Sequence, residues 1–256
     1  MLALAAATTL VVCAPGYPGN TAEAQPAMDS LARALSRATR LPEGSFAAVY
    51  EETEAGGVQR LQQKDSALLL ATLPFYLVHE QELGLVARLA ATPQSGEPLE
   101  KWTLATGKER PPSLEGYTVQ SSAGYSKRFV RAMAPKLPGT VKVEQTSAVL
   151  SALRRAASGE KMAVLLDGSQ AAAMATLPFA GSLAPVETSP PVPVAVIATV
   201  RKRIDDQRWK ALEPAFLRLA EDRSAREALD GVRMAGFVPL DQHALAAART
   251  AWRRAR

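Results

Sequence analysis

Short apolar runs rich in β-branched residues alternate with amphipathic stretches along most of this chain, and the alternation stops once and begins again. "TTLVVCA", from Thr8, reads as a buried strand bounded by turn residues. Met28, Leu31, Leu35 and Ala38 then recur at helical spacing. Asn20 and Glu23 ahead of them suit a capping box, or Pro26 marks the first helical turn. "FAAVYE" is a second strand, residues 53–64 a short helix with Val58 and Leu61 inward, "SALLLAT" a third strand broken by "LPFY", and "LVARLAA" a fourth. Such an order implies a parallel sheet with helices on its faces.

The break is "TPQSGEP". Beyond it, "LEKWTLATG" reads as a strand crossing into a second lobe, where the pattern restarts: "YTVQSS", a helix over 125–134, "TVKVEQ", a helix over 147–157, then "MAVLLDG". "ETSPPVPVAVIATV" is punctuated by prolines, which are tolerated where a strand begins, and it carries the chain back. The rest reads as helical. Trp209, Leu212, Phe216 and Leu219 share a face with Pro214 as a kink, Ser224 and Glu227 form a capping box, Gly231 ends that helix, and Asp241 caps a last helix with Leu245, Ala248 and Trp252 inward. The expected organisation is α/β with two lobes, each a mostly parallel sheet flanked by helices. Residues 8–98 with 192–256 form the first lobe and 99–191 the second. "ATLPF" occurs at Ala71 and at Ala175, after a strand in one case and a helix in the other, and is read as coincidence.

Composition enters as exclusion. With 47% hydrophobic and 21% charged residues the chain has material for a sizeable core. One cysteine, Cys13, leaves no internal disulfide, and two histidines, His79 and His243, have no partners at metal-ligand spacing. No P-loop, GxGxxG or GxSxG is present, so neither a metal nor another cofactor is expected. The net charge of +5 draws on "TVRKRI" and "AWRRAR", but no aromatic residues interleave with a basic stripe, and no nucleic-acid partner is expected. Residues 1–7, "MLALAAA", look like the remnant of an export signal: apolar, without a basic start, and far short of the ~20 residues that span a bilayer.

Four stretches offer chemistry. "GYPGN" turns sharply between the first strand and helix, placing Tyr17, Asn20 and Thr21 at the strand's end. Glu51 and Glu52 stand where the second strand ends, the place at which α/β sheets bind ligands. In "QSSAGYS", Ser121, Ser122 and Tyr125 lie between a strand and a helix, as a polar cradle or a plain helix cap. "LLDGSQ" repeats that logic with Asp167, Gly168 and Ser169.

The order of pieces resembles the type II periplasmic solute-binding proteins, on the phosphonate-binding branch. Four segments carry the resemblance: "APGYPGNTAEAQPAMDSLARAL" after the first strand, "SLEGYTVQSSAGYS" at the start of the second lobe, the proline-bearing return "SPPVPVAVIATVRKRI", and the tail "LRLAEDRSAREALDGVRMAGFVPLD". The resemblance implies two α/β lobes joined by hinge strands, a ligand in the cleft between them, and delivery to an inner-membrane transporter by a periplasmic monomer. Matched by position, the walls would be Tyr17, Asn20, Thr21, Glu51, Glu52, Phe75, Tyr76, Ser121, Ser122, Tyr125, Asp167 and Ser189. These residues offer aromatics, hydroxyls and carboxylates, with Lys127 the one cation nearby. That set points to a neutral or largely apolar ligand, a lipid or sterol being one form of it. The alternatives are a phosphonate or other oxyanion, and an enzyme on the same fold like those of menaquinone synthesis.

Overall fold

The computed structural model describes residues 7–17, 19–94, 96–109 and 113–255. The export remnant expected at 1–7 lies, apart from Ala7, outside them. In chain order the elements are β1 (Thr8–Cys13), α1 (Thr21–Thr39), β2 (Phe46–Glu51), α2 (Glu54–Gln62), β3 (Ser66–Thr72), α3 (Leu73–His79), β4 (Leu85–Pro93), β5 (Leu99–Glu100) and β6 (Thr103–Gly107). They continue with β7 (Thr118–Ser121), α4 (Lys127–Met133), β8 (Lys142–Gln145), α5 (Val149–Ala157), β9 (Met162–Leu166), α6 (Gly168–Met174), β10 (Leu183–Thr188) and β11 (Val192–Pro193). The last are β12 (Ala195–Val200), α7 (Asp206–Leu217), α8 (Arg223–Gly231), β13 (Met234–Pro239) and α9 (Gln242–Arg254).

Two compact units result. The first holds the chain up to Pro15, Gly19–Pro98 and Pro193–Asp241; the second holds Gly16 and Tyr17, Leu99–Val192 and the chain from Gln242 on. The first sheet runs in the order β13-β4-β12-β3-β1-β2. β1 is parallel to β2 and β3, and the returning β12 inserts antiparallel between β3 and β4. β4 therefore points the same way as the first three strands. All six residues of β1 and of β12 are buried, which explains their uninterrupted apolar runs. Leu31 and Leu35 of α1, Leu68 and Leu70 of β3, and Phe216 and Leu229 pack in one core. Burying each such side chain contributes about 2 kcal/mol.

The second sheet runs β10-β6-β9-β7-β8, with β7 parallel to β8 and β9 and with β6 antiparallel to both its neighbours. Ala152, Leu153 and Ala156 of α5 close one core against Val164 and Leu166.

"LPFY" breaks the third strand as expected, and it does so by forming α3, which Thr72 and Pro74 start. Other expectations are corrected. The tail is not all helical: Met234–Pro239 pairs antiparallel with β4 as an edge strand. Asp222 caps α8, accepting from the Ser224 N–H at 2.8 Å, in place of a Ser224–Glu227 box. Pro26 lies inside α1, which Asn20 caps by accepting from the Glu23 N–H at 2.8 Å. The chain from Gln242 belongs to the second unit, not the first. The reason is α4: Arg128 Nε donates to the Trp252 and Ala255 carbonyls at 2.8 and 3.0 Å and its guanidinium lies 4.5 Å from the Trp252 ring centre. Trp252 is accordingly half-buried.

Candidate ligand-binding site

In open α/β sheets a crevice opens at the carboxyl end of two neighbouring strands whose connections leave in opposite directions. Each unit has one. In the first, β1 leads outward to β2 and β3 leads the other way to β4, so Cys13 and Thr72 border the crevice. In the second, β7 leads through α4 to β8, and β9 leads through α6 to β10 at the opposite edge. Ser121 and Leu166 border that crevice.

The second unit's crevice is polar. Ser121 is fully buried; its Oγ donates to the Leu165 carbonyl at 2.8 Å and accepts from the Ala123 N–H, tying β7 to β9. Gly124 must be glycine, because a Cβ there would meet the Glu144 carbonyl oxygen. Ser126 then caps α4, accepting from the Phe129 N–H at 3.2 Å. Across the crevice Asp167 caps α6. Its Oδ1 accepts from the Gln170 N–H and the Ser169 hydroxyl, both at 2.8 Å, while Gln170 reaches back to the Asp167 N–H. Its Oδ2 accepts from the Tyr17 hydroxyl at 2.8 Å. Gly16 places that tyrosine: it holds φ at +86°, and a Cβ on it would run into the Ser122 carbonyl oxygen.

Glu100, in β5, completes the group. Its Oε2 accepts from the Gly168 N–H at 2.8 Å. Burial, and next the Asp167 charge, push its carboxyl up to about 8, against the Gly168 N–H and the Trp102 indole, which favour the ionised form. Burial, followed by the charges of Asp167 and Glu100, raises the Tyr17 phenol well above its ordinary range, with Ser122 opposing. At neutral pH Tyr17 and Glu100 therefore both carry protons, and Asp167 accepts. Among the described residues no lysine or arginine is hydrogen-bonded to or ion-paired with Tyr17, Glu100, Ser122 or Asp167.

The first unit's crevice is filled differently. Cys13 is fully buried, its thiol pointing at the Thr53 carbonyl, and burial, then Glu51 and Glu54, push its pKa far up. Gly57 makes room for it, since a Cβ there would meet the Cys13 sulfur and the Phe75 ring. Phe75 packs with its ring centre 4.7 Å from that of His79, tilted by 49°, and the His79 Nε2 lies 2.9 Å from Glu54. Tyr76 donates to Glu80 at 2.8 Å and accepts from the Ala87 N–H.

Of the expected wall residues, the structure brings Tyr17, Ser122 and Asp167 together, with Ser121 beneath them and Tyr125 half-buried on the same loop. Asn20 and Thr21 start α1, and Glu51 and Glu52 end β2, at the carboxyl edge of the first unit. Phe75 and Tyr76 are 0% exposed and belong to that unit's own packing. Ser189 is spent on the backbone, accepting from the Trp102 N–H at 3.0 Å and donating to the Pro190 carbonyl. Glu100 escaped the sequence reading. The signal for it was an acid in a short extended run, two residues before a Trp that is 1% exposed. Among the described residues no group of three or more His, Cys, Asp or Glu could hold a metal, and no helix is long and apolar enough to cross a membrane.

No family model and no curated protein matches the chain. Solved structures do. The XAC2383 protein of Xanthomonas citri, solved bound to chloride and bound to ATP, aligns over 98% of both chains with a TM-score of 0.74 at 16% and 15% identity. A binding protein component of a phosphonate ABC transporter from Pseudomonas aeruginosa aligns over 96% of this chain and 86% of its own, with a TM-score of 0.65 at 14% identity. An ancestral arginine-binding protein bound to arginine aligns over 88% and 98%, with a TM-score of 0.52 at 16% identity. The chain thus has the α/β fold of the type II periplasmic solute-binding proteins, with binding components of phosphonate transporters among its structural neighbours.

Proposed function

We propose that this chain is an exported solute-binding protein that captures a small molecule and delivers it to a membrane transporter, and that its ligand meets the second unit at Tyr17, Glu100, Ser122 and Asp167. One neighbour is a binding protein component of a phosphonate ABC transporter and another is an arginine-binding protein, which supports the general role. One observation carries the ligand assignment: two carboxyl groups and a phenol converge on a crevice in which, among the described residues, no cation is bonded to them. A small dianion placed there would face the Asp167 charge without a guanidinium or ammonium to offset it. A solute with hydrogen-bond donors, neutral or positively charged, is matched instead. The sterol- or lipid-like form of the reading loses Phe75 and Tyr76 as aromatic walls, because both are enclosed by their own unit. Tyr17 and Tyr125 remain for stacking.

Calorimetry against three probes tests this: methylphosphonate, L-arginine, and a neutral polyol. The account expects methylphosphonate to bind worst. Its failure would be tight, salt-sensitive binding of methylphosphonate that weakens as pH rises. The sign follows from Glu100. Ionising its carboxyl above about 8 adds negative charge, so affinity for a cation rises through that pH and affinity for an anion falls.

A further inference from the structure

The ends of two helices in the second unit put cations side by side. Lys127 and Arg128 occupy the first turn of α4, which contains no acidic residue, and Arg253 and Arg254 occupy the last turn of α9. Hydrogen bonds from Arg128 to the carbonyls of Trp252 and Ala255 hold these two ends together. A helix N-terminus favours anions, so Lys127 and Arg128 stand against the dipole of their own helix. Arg128 is repaid by the α9 carbonyls and by the Trp252 ring beneath it. Lys127, Arg253 and Arg254 are exposed, and among the described residues no ion pair neutralises them. Trp252 is half-buried beside them, whereas Trp102 and Trp209 are 1% and 3% exposed.

We propose that this cluster docks on the phosphate plane of an anionic lipid surface, Lys127, Arg253 and Arg254 meeting headgroups and Trp252 lying at the interface. The partner follows from three features. Neither helix carries an acidic residue, and a single sign of charge suits a plane of phosphates. The aromatic among the cations is a tryptophan with an apolar body and a polar tip, the residue that partitions to membrane interfaces. No series of exposed rings accompanies the cations, as stacking on single-stranded nucleic acid would need.

Sedimentation with vesicles tests it. The full chain is mixed with phosphatidylglycerol–phosphatidylcholine vesicles and with vesicles of phosphatidylcholine alone, at low and physiological salt. Binding is expected to the anionic vesicles only, to weaken with salt, and to fall about five-fold for each charge removed in Lys127→Gln, Arg253→Gln and Arg254→Gln. Because the other two tryptophans are buried, a blue shift of tryptophan emission on the vesicles reports Trp252, and Trp252→Phe is expected to abolish it. These four side chains lie outside both cores, and circular dichroism checks that each variant folds. Equal binding to neutral vesicles, no binding to anionic ones, or binding that the triple variant retains overturns the proposal. Stronger, charge-dependent binding to a polyglutamate or to duplex DNA overturns it too, assigning the cluster to an acidic polypeptide or a nucleic acid.

Discussion

The two units share a topology at their crevices and differ in what fills them. In the first, β1 and β3 end on a buried thiol, a glycine that makes room for it and an aromatic ring. In the second, β7 and β9 end on hydroxyls and a capping aspartate, with the half-buried Glu100 of β5 beside them. Backbone order alone creates a crevice in both. Side-chain chemistry distinguishes them: one is closed by packing, and the other gathers the polar groups on which the proposed ligand assignment rests.

That contrast can be broken in four places. Gly16→Ala has the largest expected effect. A side chain at φ +86° that meets the Ser122 backbone must displace the turn, costing about 3 kcal/mol in thermal or chemical unfolding and removing Tyr17 from Asp167. Next is Asp167→Ala, expected to weaken ligand binding about 100-fold by calorimetry through loss of a charged acceptor, with a smaller loss of stability from the α6 cap. Third is Glu100→Gln. A carboxyl whose pKa is raised on folding is more protonated folded than unfolded, so wild-type stability falls as pH rises from about 4.5 through about 8. The glutamine removes that loss. The variant is expected to be more stable than wild type by about 2 kcal/mol at pH 9 and similar to it at pH 4, as urea unfolding at the two pH values would show. The smallest effect belongs to the first unit: Tyr76→Phe loses the hydrogen bond donated to Glu80 and the longer one accepted from the Ala87 N–H, about 1.5 kcal/mol together, and leaves ligand affinity unchanged.

The strands of the two parallel sets were legible because each is a short, buried, β-branched run bounded by turn residues. The edge strand β13 was not. Met234–Pro239 contains a glycine and a proline and has only two buried residues, so its pairing with β4 is decided by tertiary position. The placement of α9 was hidden for the same reason, since it depends on Arg128, over a hundred residues away. At the site, Asp167 and Ser122 were visible as residues following strands. Glu100 was not, because its unusual proton affinity comes from burial and from Asp167, neither of which a local stretch of sequence displays. Phe75 and Tyr76 misled in the opposite sense: aromatics after a strand look like walls, and only the His79, Glu80 and Ala87 partners reveal them as packing.

The central claim is that the second unit's carboxyl groups select the ligand. Mass spectrometry of the solute released from purified protein tests it most directly when wild type is compared with Asp167→Asn, which keeps the α6 cap and removes the charge. The account predicts a neutral or cationic solute with hydrogen-bond donors, recovered from wild type and lost from the variant. A phosphonate or phosphate recovered from wild type, or the same solute retained equally by Asp167→Asn, would contradict it.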